Sequence, residues 1–344
     1  MSLPANHPLA GRYVLIDQIG AGGMGSVWRA WDLRTETFRA AKVLGQHDGG
    51  MLLRFVREQS VRIQHPHVVA PSGWAAEDNL VVFTMDLCHG GSVQTLVGDH
   101  GPLPEAYVTV LMDQLLQALD AVHGAGVVHR DVKPANLLLE ATGTGRPHLR
   151  LSDFGIAALV EDVRLTRFPG AIGTEGYMSP EQNEGAPPDP QQDLYAAGVV
   201  GVYMLTGLEP RQQDGVPESR LKPLLEAMVA TDPAQRPPSA AAALDYLRRV
   251  GVPPGAPWQA DPEPPEVFDQ LGDAQVPAWA GTQGPASGGF GGGTNPVTPG
   301  RAGTPALGAG AVDEGSPGSA LTIAIVCFVL ALVLAGVALF LTLG

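Results

Sequence analysis

The sequence of 344 residues contains little cysteine and little positive charge. Its two cysteines, Cys88 and Cys327, are too few to form a disulfide framework or a cysteine metal site, so we interpret them as isolated thiols. Lysine and arginine number 21 against 35 aspartates and glutamates, and the formal net charge is −14. A chain this acidic lacks the basic surface that binds phosphate backbones, which argues against a nucleic acid as partner.

Lysine is the scarcest charged residue. Only Lys42, Lys133 and Lys222 occur, and every other positively charged side chain is arginine. A bias of this size is typical of a GC-rich genome, so a retained lysine indicates a position where the two residues are not equivalent. Lysine carries a compact ammonium on a flexible stem, whereas arginine carries a planar fork. Two of the three, Lys42 and Lys133, lie in the motifs described below, where a compact point charge would act differently from a planar fork.

The composition divides the chain into three parts. Residues 13–250 have the mixed texture of a globular domain. Periodicity predicts strands and helices there. The strands are expected at 13–19, 39–43 and 80–87, and the helices at 51–63, 104–125, 193–205, 220–229 and 239–250. Residues 251–318 are rich in glycine, proline, alanine and serine and predict a disordered linker. Within that linker, the patch around Trp258, Val267, Phe268 and Trp279 is an alternative docking segment.

A long apolar run lies at the C-terminal end. Residues 321–343 contain no charged side chain, and Thr322, Cys327 and Thr342 are their mildly polar members. A helix of this length spans about 34 Å, which is enough for a hydrocarbon core of about 30 Å. The alternative, a buried core helix, fits poorly after a long linker. Residues 319–343 therefore predict one transmembrane helix.

Residues 129–155 hold the densest group of chemically active side chains. They read His-Arg-Asp at 129–131, then Lys133 and Asn136, then Asp-Phe-Gly at 153–155. Phosphoryl transfer needs a carboxylate that orients the attacking hydroxyl and oxygen ligands that hold Mg²⁺ in place. The spacing resembles the catalytic and metal-binding loops of protein kinases.

A glycine-rich segment follows the first expected strand. It reads Gly-Ala-Gly-Gly-Met-Gly-Ser-Val over residues 20–27 and allows close approach of the backbone to phosphates. The glycine spacing alone also fits a dinucleotide-binding turn. A strand pattern follows it instead of a helix, and Lys42 lies in the next strand pattern. That arrangement resembles the glycine-rich loop and third-strand lysine of protein kinases.

The resemblance covers roughly residues 13–250 and is closest to bacterial serine/threonine kinases of the eukaryotic-like type. It implies an α+β, bilobal fold, with a small strand-rich lobe over about 13–86 and a mainly helical lobe over about 90–250. ATP and Mg²⁺, or Mn²⁺ in its place, are expected in the cleft between the lobes. The resemblance further implies protein serine and threonine as acceptors, autophosphorylation, and a homodimer in which one copy phosphorylates the other.

The resemblance also assigns the catalytic and metal-binding roles. Asp131 would orient the acceptor hydroxyl, and Lys133 would screen the charge on the transferred phosphate. Asn136 and Asp153 would hold the metal. Lys42 would contact the phosphates.

Glu58 would pair with the ammonium of Lys42. The alternative for Glu58 is a solvated position on a charged helix. Met85 resembles the residue that limits the back of the cleft, and Asp86 the first residue of the hinge. The nucleotide contacts implied are Gly20, Ala21, Gly22, Gly23, Met24, Gly25, Val27, Ala40, Lys42, Met85, Asp86 and Leu138.

The segment 153–181 resembles a regulated activation segment. Arg130 would receive a phosphate placed on Thr166, since a phosphothreonine can order a segment through an arginine. An ordinary exposed threonine is the alternative for Thr166. Thr174 would hydrogen-bond to Asp131 and Lys133. The resemblance also pairs Glu181 with Arg236 and places Asp193 as a buried support of the catalytic loop.

Two departures from the family pattern concern helices. The stretch from Glu58 to His65 is short, and so is the connection from Gly207 to Thr231, so the helix that often docks protein substrates is expected to be reduced or missing. A membrane-tethered pseudokinase and a small-molecule phosphotransferase are the rival functions. An ATP-using domain would face the cytosol, so the expected location is the cell membrane, single-pass, with the domain cytoplasmic.

Overall fold

The first part of the chain forms a five-stranded antiparallel sheet. The computed structural model describes residues 7–22, 25–45, 63–77, 80–153 and 176–281. The strands are β1 (Tyr13–Gly22), β2 (Gly25–Asp32), β3 (Thr37–Gly45), β4 (Pro71–Glu77) and β5 (Leu80–Met85). Their spatial order is β1-β2-β3-β5-β4. The crossover that brings β3 beside β5 places the hairpin of β1 and β2 at one edge of the sheet.

The two faces of this sheet bury different sets of side chains, because successive residues of a strand point to opposite sides. One face packs Ala41 and Val43 against Leu9 and Val82. The opposite face carries Ala40, which with its neighbours lines a cleft toward the rest of the domain. Leu9 is 2% exposed and bonds through its backbone to Tyr13, so the packed structure begins before residue 13.

The second lobe is mainly helical. Its helices are α1 (Val93–His100), α2 (Glu105–Gly124), α3 (Pro180–Asn183), α4 (Pro190–Thr206), α5 (Lys222–Met228) and α6 (Ala240–Val250). A short hairpin of β6 (Leu137–Leu139) and β7 (Leu149–Leu151) lies beside them. Helix α2 is apolar on nearly all sides and forms the centre of the core, packed against α4 and α6. The α+β, bilobal fold expected from the sequence is confirmed.

Most elements that periodicity predicted are present with shifted ends. The expected strands at 13–19, 39–43 and 80–87 correspond to β1, β3 and β5, and four of the expected helices correspond to α2, α4, α5 and α6. The helix expected at 51–63 falls mostly outside the described residues. No helix within the described ranges is both long enough and apolar enough to cross a membrane, and the span predicted at 319–343 lies outside them.

The prediction of a disordered linker over 251–318 is wrong for residues 251–281, which pack on the domain. Trp258 is 2% exposed, and its indole ring meets the ring of Tyr107 edge-on at 4.7 Å between centroids. Its Nε1 donates a hydrogen bond to the carbonyl oxygen of Thr144 at 3.0 Å. Composition misled here because it averages over the segment, whereas buried side chains such as Trp258, with its hydrogen bond, favour ordering locally. Residues 282–318 lie outside the described ranges.

Residues 251–272, which we call the strap, continue from α6 toward the sheet. Val267 is 2% exposed and forms a two-hydrogen-bond bridge with Gly143, at 3.0 and 2.9 Å. Arg146 donates to the carbonyl oxygens of Pro253 and Gly255. The ordered domain therefore extends beyond the expected boundary at residue 250.

Replacement of Trp258 by alanine should lower the free energy of unfolding by about 3 kcal/mol, because it opens a cavity and leaves the Thr144 carbonyl without its donor. Phe268→Ala is the matched control, since Phe268 is 50% exposed in the same segment. We expect less than about 0.5 kcal/mol for that control. Urea unfolding of both variants measures the difference, and equal effects would show that the strap is not packed as described.

Candidate active site

The loop between α2 and β6 gathers the polar side chains that the sequence singled out. Lys133 Nζ lies 2.8 Å from Asp131 Oδ2. Asn136 donates its amide N–H to the same Oδ2 at 2.9 Å and to the Asp131 carbonyl oxygen at 2.8 Å. Two donors therefore hold one oxygen of the Asp131 carboxylate and fix the orientation of the other.

The loop is held from beneath by Asp193 at the start of α4. This carboxylate is 1% exposed and accepts hydrogen bonds from the backbone N–H groups of His129 at 2.8 Å and Arg130 at 2.7 Å. His123 Nε2 also lies 2.8 Å from its Oδ2. Arg130 has a φ of +65°, which a residue with a side chain adopts only when its surroundings impose it. The predicted support role of Asp193 is confirmed.

A second link ties this loop to Asp153. The ring nitrogen Nε2 of His129 lies 2.9 Å from the carbonyl oxygen of Ser152, and the Ser152 hydroxyl and N–H both donate to the Asn136 carbonyl oxygen at 2.9 Å. Asp153 follows directly and has a φ of +60°. The two loops therefore present Asp131, Asn136 and Asp153 as one unit.

Lys42 connects the five-stranded sheet to this unit. It lies on β3, is 7% exposed, and its Nζ is 2.9 Å from Asp153 Oδ1. The sequence paired Lys42 with Glu58, which lies outside the described residues. Among described residues, Asp153 is the carboxylate that balances the buried ammonium. A lysine so placed offers its charge to an anion bound between the lobes.

Apolar side chains from both lobes line the cleft beside Lys42. Ala40 and Met85 pack with Val69, and the half-buried side chains of Ile19, Val27, Leu87, Cys88 and Leu138 complete the wall. The predicted contacts Val27, Ala40, Met85 and Leu138 are thus brought together. The sequence missed Ile19, Leu87 and Cys88. Ile19 lies at the irregularity in the β1–β2 register between Gln18 and Gly20, which no local sequence pattern indicates.

The glycine-rich segment forms the turn of the β1–β2 hairpin. Gly20, Ala21 and Gly22 pair with Val27, Ser26 and Gly25 in antiparallel register. Gly25 has a φ of +149°, and a Cβ there would lie 2.2 Å from the Val43 carbonyl oxygen, so only glycine fits. Gly23 and Met24 lie outside the described residues.

The hinge between the lobes holds two polar residues with different roles. The Asp86 carboxylate accepts from Arg39 at 2.6 Å and from Arg150 at 2.9 Å, which joins β3 to β7. The Asp86 side chain therefore braces the two lobes, and the nucleotide contact predicted for Asp86 stays a prediction. Burial raises the pKa of the Cys88 thiol to about 12, so this thiol stays protonated at neutral pH.

The predicted pair of Glu181 and Arg236 is present and buried on the arginine side. Arg236 donates two parallel hydrogen bonds to Glu181, at 2.7 and 2.9 Å. The next residue, Gln182, donates to the Arg130 carbonyl oxygen at 3.0 Å. This pair therefore fixes α3 beneath the catalytic loop. Thr166 and Thr174 lie outside the described residues, so their predicted roles stay predictions.

The expected loss of a docking helix is confirmed. Between α4 and α5 the only helical turn in the described structure is the 3₁₀ turn Pro210–Gln212. Tyr177 donates a hydrogen bond to Glu209 next to that turn, at 3.4 Å. Residues 207–221 consequently form a loop that contains this turn.

The donor set fits a hard divalent cation. Asn136 commits its amide nitrogen to Asp131, which leaves the amide oxygen as the atom that it offers a metal. Asp153 supplies a carboxylate. Oxygen ligands of this kind suit Mg²⁺, which is held by one or two protein oxygens together with substrate phosphates.

The two-lobed fold, the glycine turn and the polar unit in the cleft together define a protein kinase domain. The family model described as "Protein kinase domain" matches residues 13–243, and the chain belongs to that family.

Two similar curated proteins are bacterial kinases. Serine/threonine-protein kinase PkaA of Streptomyces coelicolor is 38% identical over 219 residues, which is 59% of this chain and 40% of the relative. Serine/threonine-protein kinase pkn3 of Myxococcus xanthus is 33% identical over 275 residues, or 70% of this chain and 50% of the relative. The chain thus spans half or less of the length of these relatives.

A solved structure agrees on the fold. Rad53 1-466 in complex with AMP-PNP matches with a TM-score of 0.56 at 22% identity, over 68% of this chain and 64% of that one.

Stability should depend on the ionised state of Glu181. Burial alone would raise the pKa of this carboxyl group. The hydrogen bonds and charge of Arg236, together with hydrogen bonds from Ser179 and the Glu181 backbone, outweigh burial and lower the pKa below its ordinary value of 4.5. The stabilisation is therefore complete above pH 4.5 and is lost as the pH falls through the lower folded value. Glu181→Gln should cost about 3 kcal/mol at neutral pH because it leaves the Arg236 charge unpaired.

Unfolding in urea at several pH values measures this dependence. The gap between the wild type and Glu181→Gln should close in acid. Glu184→Gln, which changes an exposed carboxylate on the same helix end, is the control and should show little gap at any pH. A gap of constant size across the pH range would contradict the ion pair.

Proposed function

We propose that this protein is a serine/threonine protein kinase that transfers the γ-phosphoryl group of ATP to protein hydroxyls. The observation that carries the proposal is the joining of Lys42 to Asp153, 2.9 Å apart, beside the Asp131, Lys133 and Asn136 cluster. Each residue type that phosphoryl transfer needs is present at one end of one cleft. The bacterial relatives named above are serine/threonine-protein kinases, which supports the acceptor class.

The geometry assigns a task to each side chain. Asp131 holds one carboxylate oxygen with two donors and turns the other toward the acceptor hydroxyl, whose proton it takes as the oxygen bonds to the γ-phosphorus. The bond from that phosphorus to the β–γ bridging oxygen breaks, and ADP leaves. Lys133 and Lys42 would place positive charge near the phosphates. Asn136 and Asp153 would hold Mg²⁺, which would supply further neutralisation of the phosphate charge.

Transfer from γ-labelled ATP by the full chain tests this proposal. Wild-type protein should label itself and a generic protein acceptor, with the label on phosphoserine or phosphothreonine. Asp131→Asn should lower the rate by about a hundredfold or more, since it removes the proton acceptor. Nucleotide binding should persist in that variant. Binding of nucleotide without any transfer by the wild type would favour the scaffold function, and labelling of small molecules alone would favour a metabolite kinase.

The membrane attachment is a further part of the proposal. It is supported by the uncharged run at 321–343, which is long enough to span a bilayer as a helix. A single span would hold the domain at the cytosolic face and raise its local concentration, which favours phosphorylation of one copy by another.

Fractionation of cells that express the full chain tests the attachment. The protein should sediment with membranes and resist extraction by alkaline carbonate. Arginines in place of Leu330 and Leu334 should release it, at a cost of about 3 kcal/mol per charge at the helix centre. Thr342→Arg, at the end of the same run, should leave it in place. Equal behaviour of all three proteins would contradict a membrane span.

A further inference from the structure

The strap, residues 251–272, reaches from the helical lobe to the small lobe and lies outside the family model, which ends at residue 243. It carries four carboxylates and no lysine, arginine or histidine. Its Val267 is fixed to Gly143 beside the β6–β7 hairpin. The strap is therefore a feature of this chain in addition to the shared domain.

The strap is bonded to the hinge. The Gln270 N–H donates to the His89 carbonyl oxygen at 2.7 Å, and Asp269 Oδ2 lies 3.2 Å from His89 Nδ1. At Gly90 a Cβ would lie 2.4 Å from the Cγ1 of Val267. The strap thus approaches the hinge backbone more closely than any residue with a side chain at position 90 would allow.

The end of the strap is bonded to β2 of the small lobe. Arg29 donates from Nη1 to the carbonyl oxygens of Leu271, at 3.1 Å, and Gly272, at 2.8 Å. Asp269 orders those carbonyls, because its Oδ1 accepts from the N–H groups of Leu271 at 2.9 Å and Gly272 at 3.1 Å. A side chain that bonds backbone groups two and three residues ahead closes a local turn.

Arg29 also joins the strap to the strand β1 that borders the cleft. Its Nε and Nη2 bond to the Asp17 carboxylate on β1 at 2.8 and 3.0 Å, and the two residues face each other in the register of the hairpin. Val27 lies on the same face of β2, two residues or about 7 Å away. Ile19 lies two residues beyond Asp17 on β1. Both apolar side chains line the cleft.

We infer that Arg29 and the Asp269 turn are positioning residues for nucleotide binding, which act by holding the glycine-rich hairpin at a fixed height over the cleft. Arg29 is 6% exposed, so it has few alternative orientations once the strap is in place. The inference rests on the proposed function only in taking the ligand of the cleft to be a nucleotide.

Three variants of the full chain distinguish the role of the turn that Asp269 closes from the role of its negative charge. Asp269→Ala removes the turn and the bond to His89, and we expect about fivefold weaker binding of the Mg²⁺ complex of AMP-PNP, which equals about 1 kcal/mol. Asp269→Asn retains an oxygen that accepts the same two N–H groups and should bind within about twofold of the wild type. Asp273→Ala removes an exposed carboxylate one residue past the strap and should bind as the wild type does.

Calorimetric titration with AMP-PNP gives the affinities, and thermal unfolding without nucleotide is measured beside it. The inference expects a loss of affinity in Asp269→Ala, a rise in KM for ATP with kcat nearly constant, and an unfolding temperature close to that of the wild type. Wild-type affinity in Asp269→Ala overturns it. An equal loss of affinity in Asp269→Ala and Asp273→Ala also overturns it. An equal loss in Asp269→Ala and Asp269→Asn does the same.

The failure of the proposed function gives a different pattern. A wild-type chain that binds AMP-PNP and transfers no phosphate would reject the kinase activity, and the affinity ratios of the three variants would still decide the role of the strap. A wild-type chain that binds no nucleotide would overturn both.

Discussion

The buried carboxylate of Asp193 is the contact on which the site depends. It accepts short hydrogen bonds from two backbone N–H groups of the catalytic loop, those of His129 and Arg130. Charge-assisted hydrogen bonds in a dry interior are stronger than neutral ones. A positive φ at a residue with a side chain costs about 1–2 kcal/mol, and Arg130 adopts one. The carboxylate therefore supplies the attraction that keeps a strained loop in the shape that aims Asp131.

The other polar side chains of the cleft are positioned relative to that loop. The contact of His129 with Ser152 positions the neighbouring Asp153 relative to the loop. Asp153 in turn pairs with Lys42 on the sheet. The chain of contacts passes from a helix in one lobe to a strand in the other in four steps. A small displacement at the start would misplace both the proton acceptor and the phosphate-binding charge, and misplacements of about 1 Å are known to slow enzymes about a hundredfold.

The polar site was predictable because its residues lie in short, ordered stretches of sequence. Asp131, Lys133, Asn136 and Asp153 are brought together as expected. The pairing of Lys42 with Asp153 was missed, because it joins residues 111 positions apart in sequence, which no local pattern encodes. The contacts of the Asp86 side chain were not predictable for the same reason, since Arg39 and Arg150 reach it from two distant strands.

The strap shows where composition fails as a guide. Glycine, proline and alanine predicted disorder, yet Trp258 and Val267 are buried and their neighbours follow. A prediction of disorder from composition reflects the average free energy of ordering each residue. Trp258 and Val267, nine positions apart, make ordering favourable locally. The aromatic and β-branched residues of this segment indicated its packing, and they are the basis of the docking alternative. The contacts with Arg29 and His89 were not encoded in any local pattern.

Hydrogen exchange of the wild-type protein tests the central claim most directly. If Asp193 holds the catalytic loop, the backbone amides of His129 and Arg130 should exchange only on global unfolding, as slowly as the amides at the centre of α2. Exchange of these two amides at the rate of exposed loop amides, while α2 stays protected, would contradict the account.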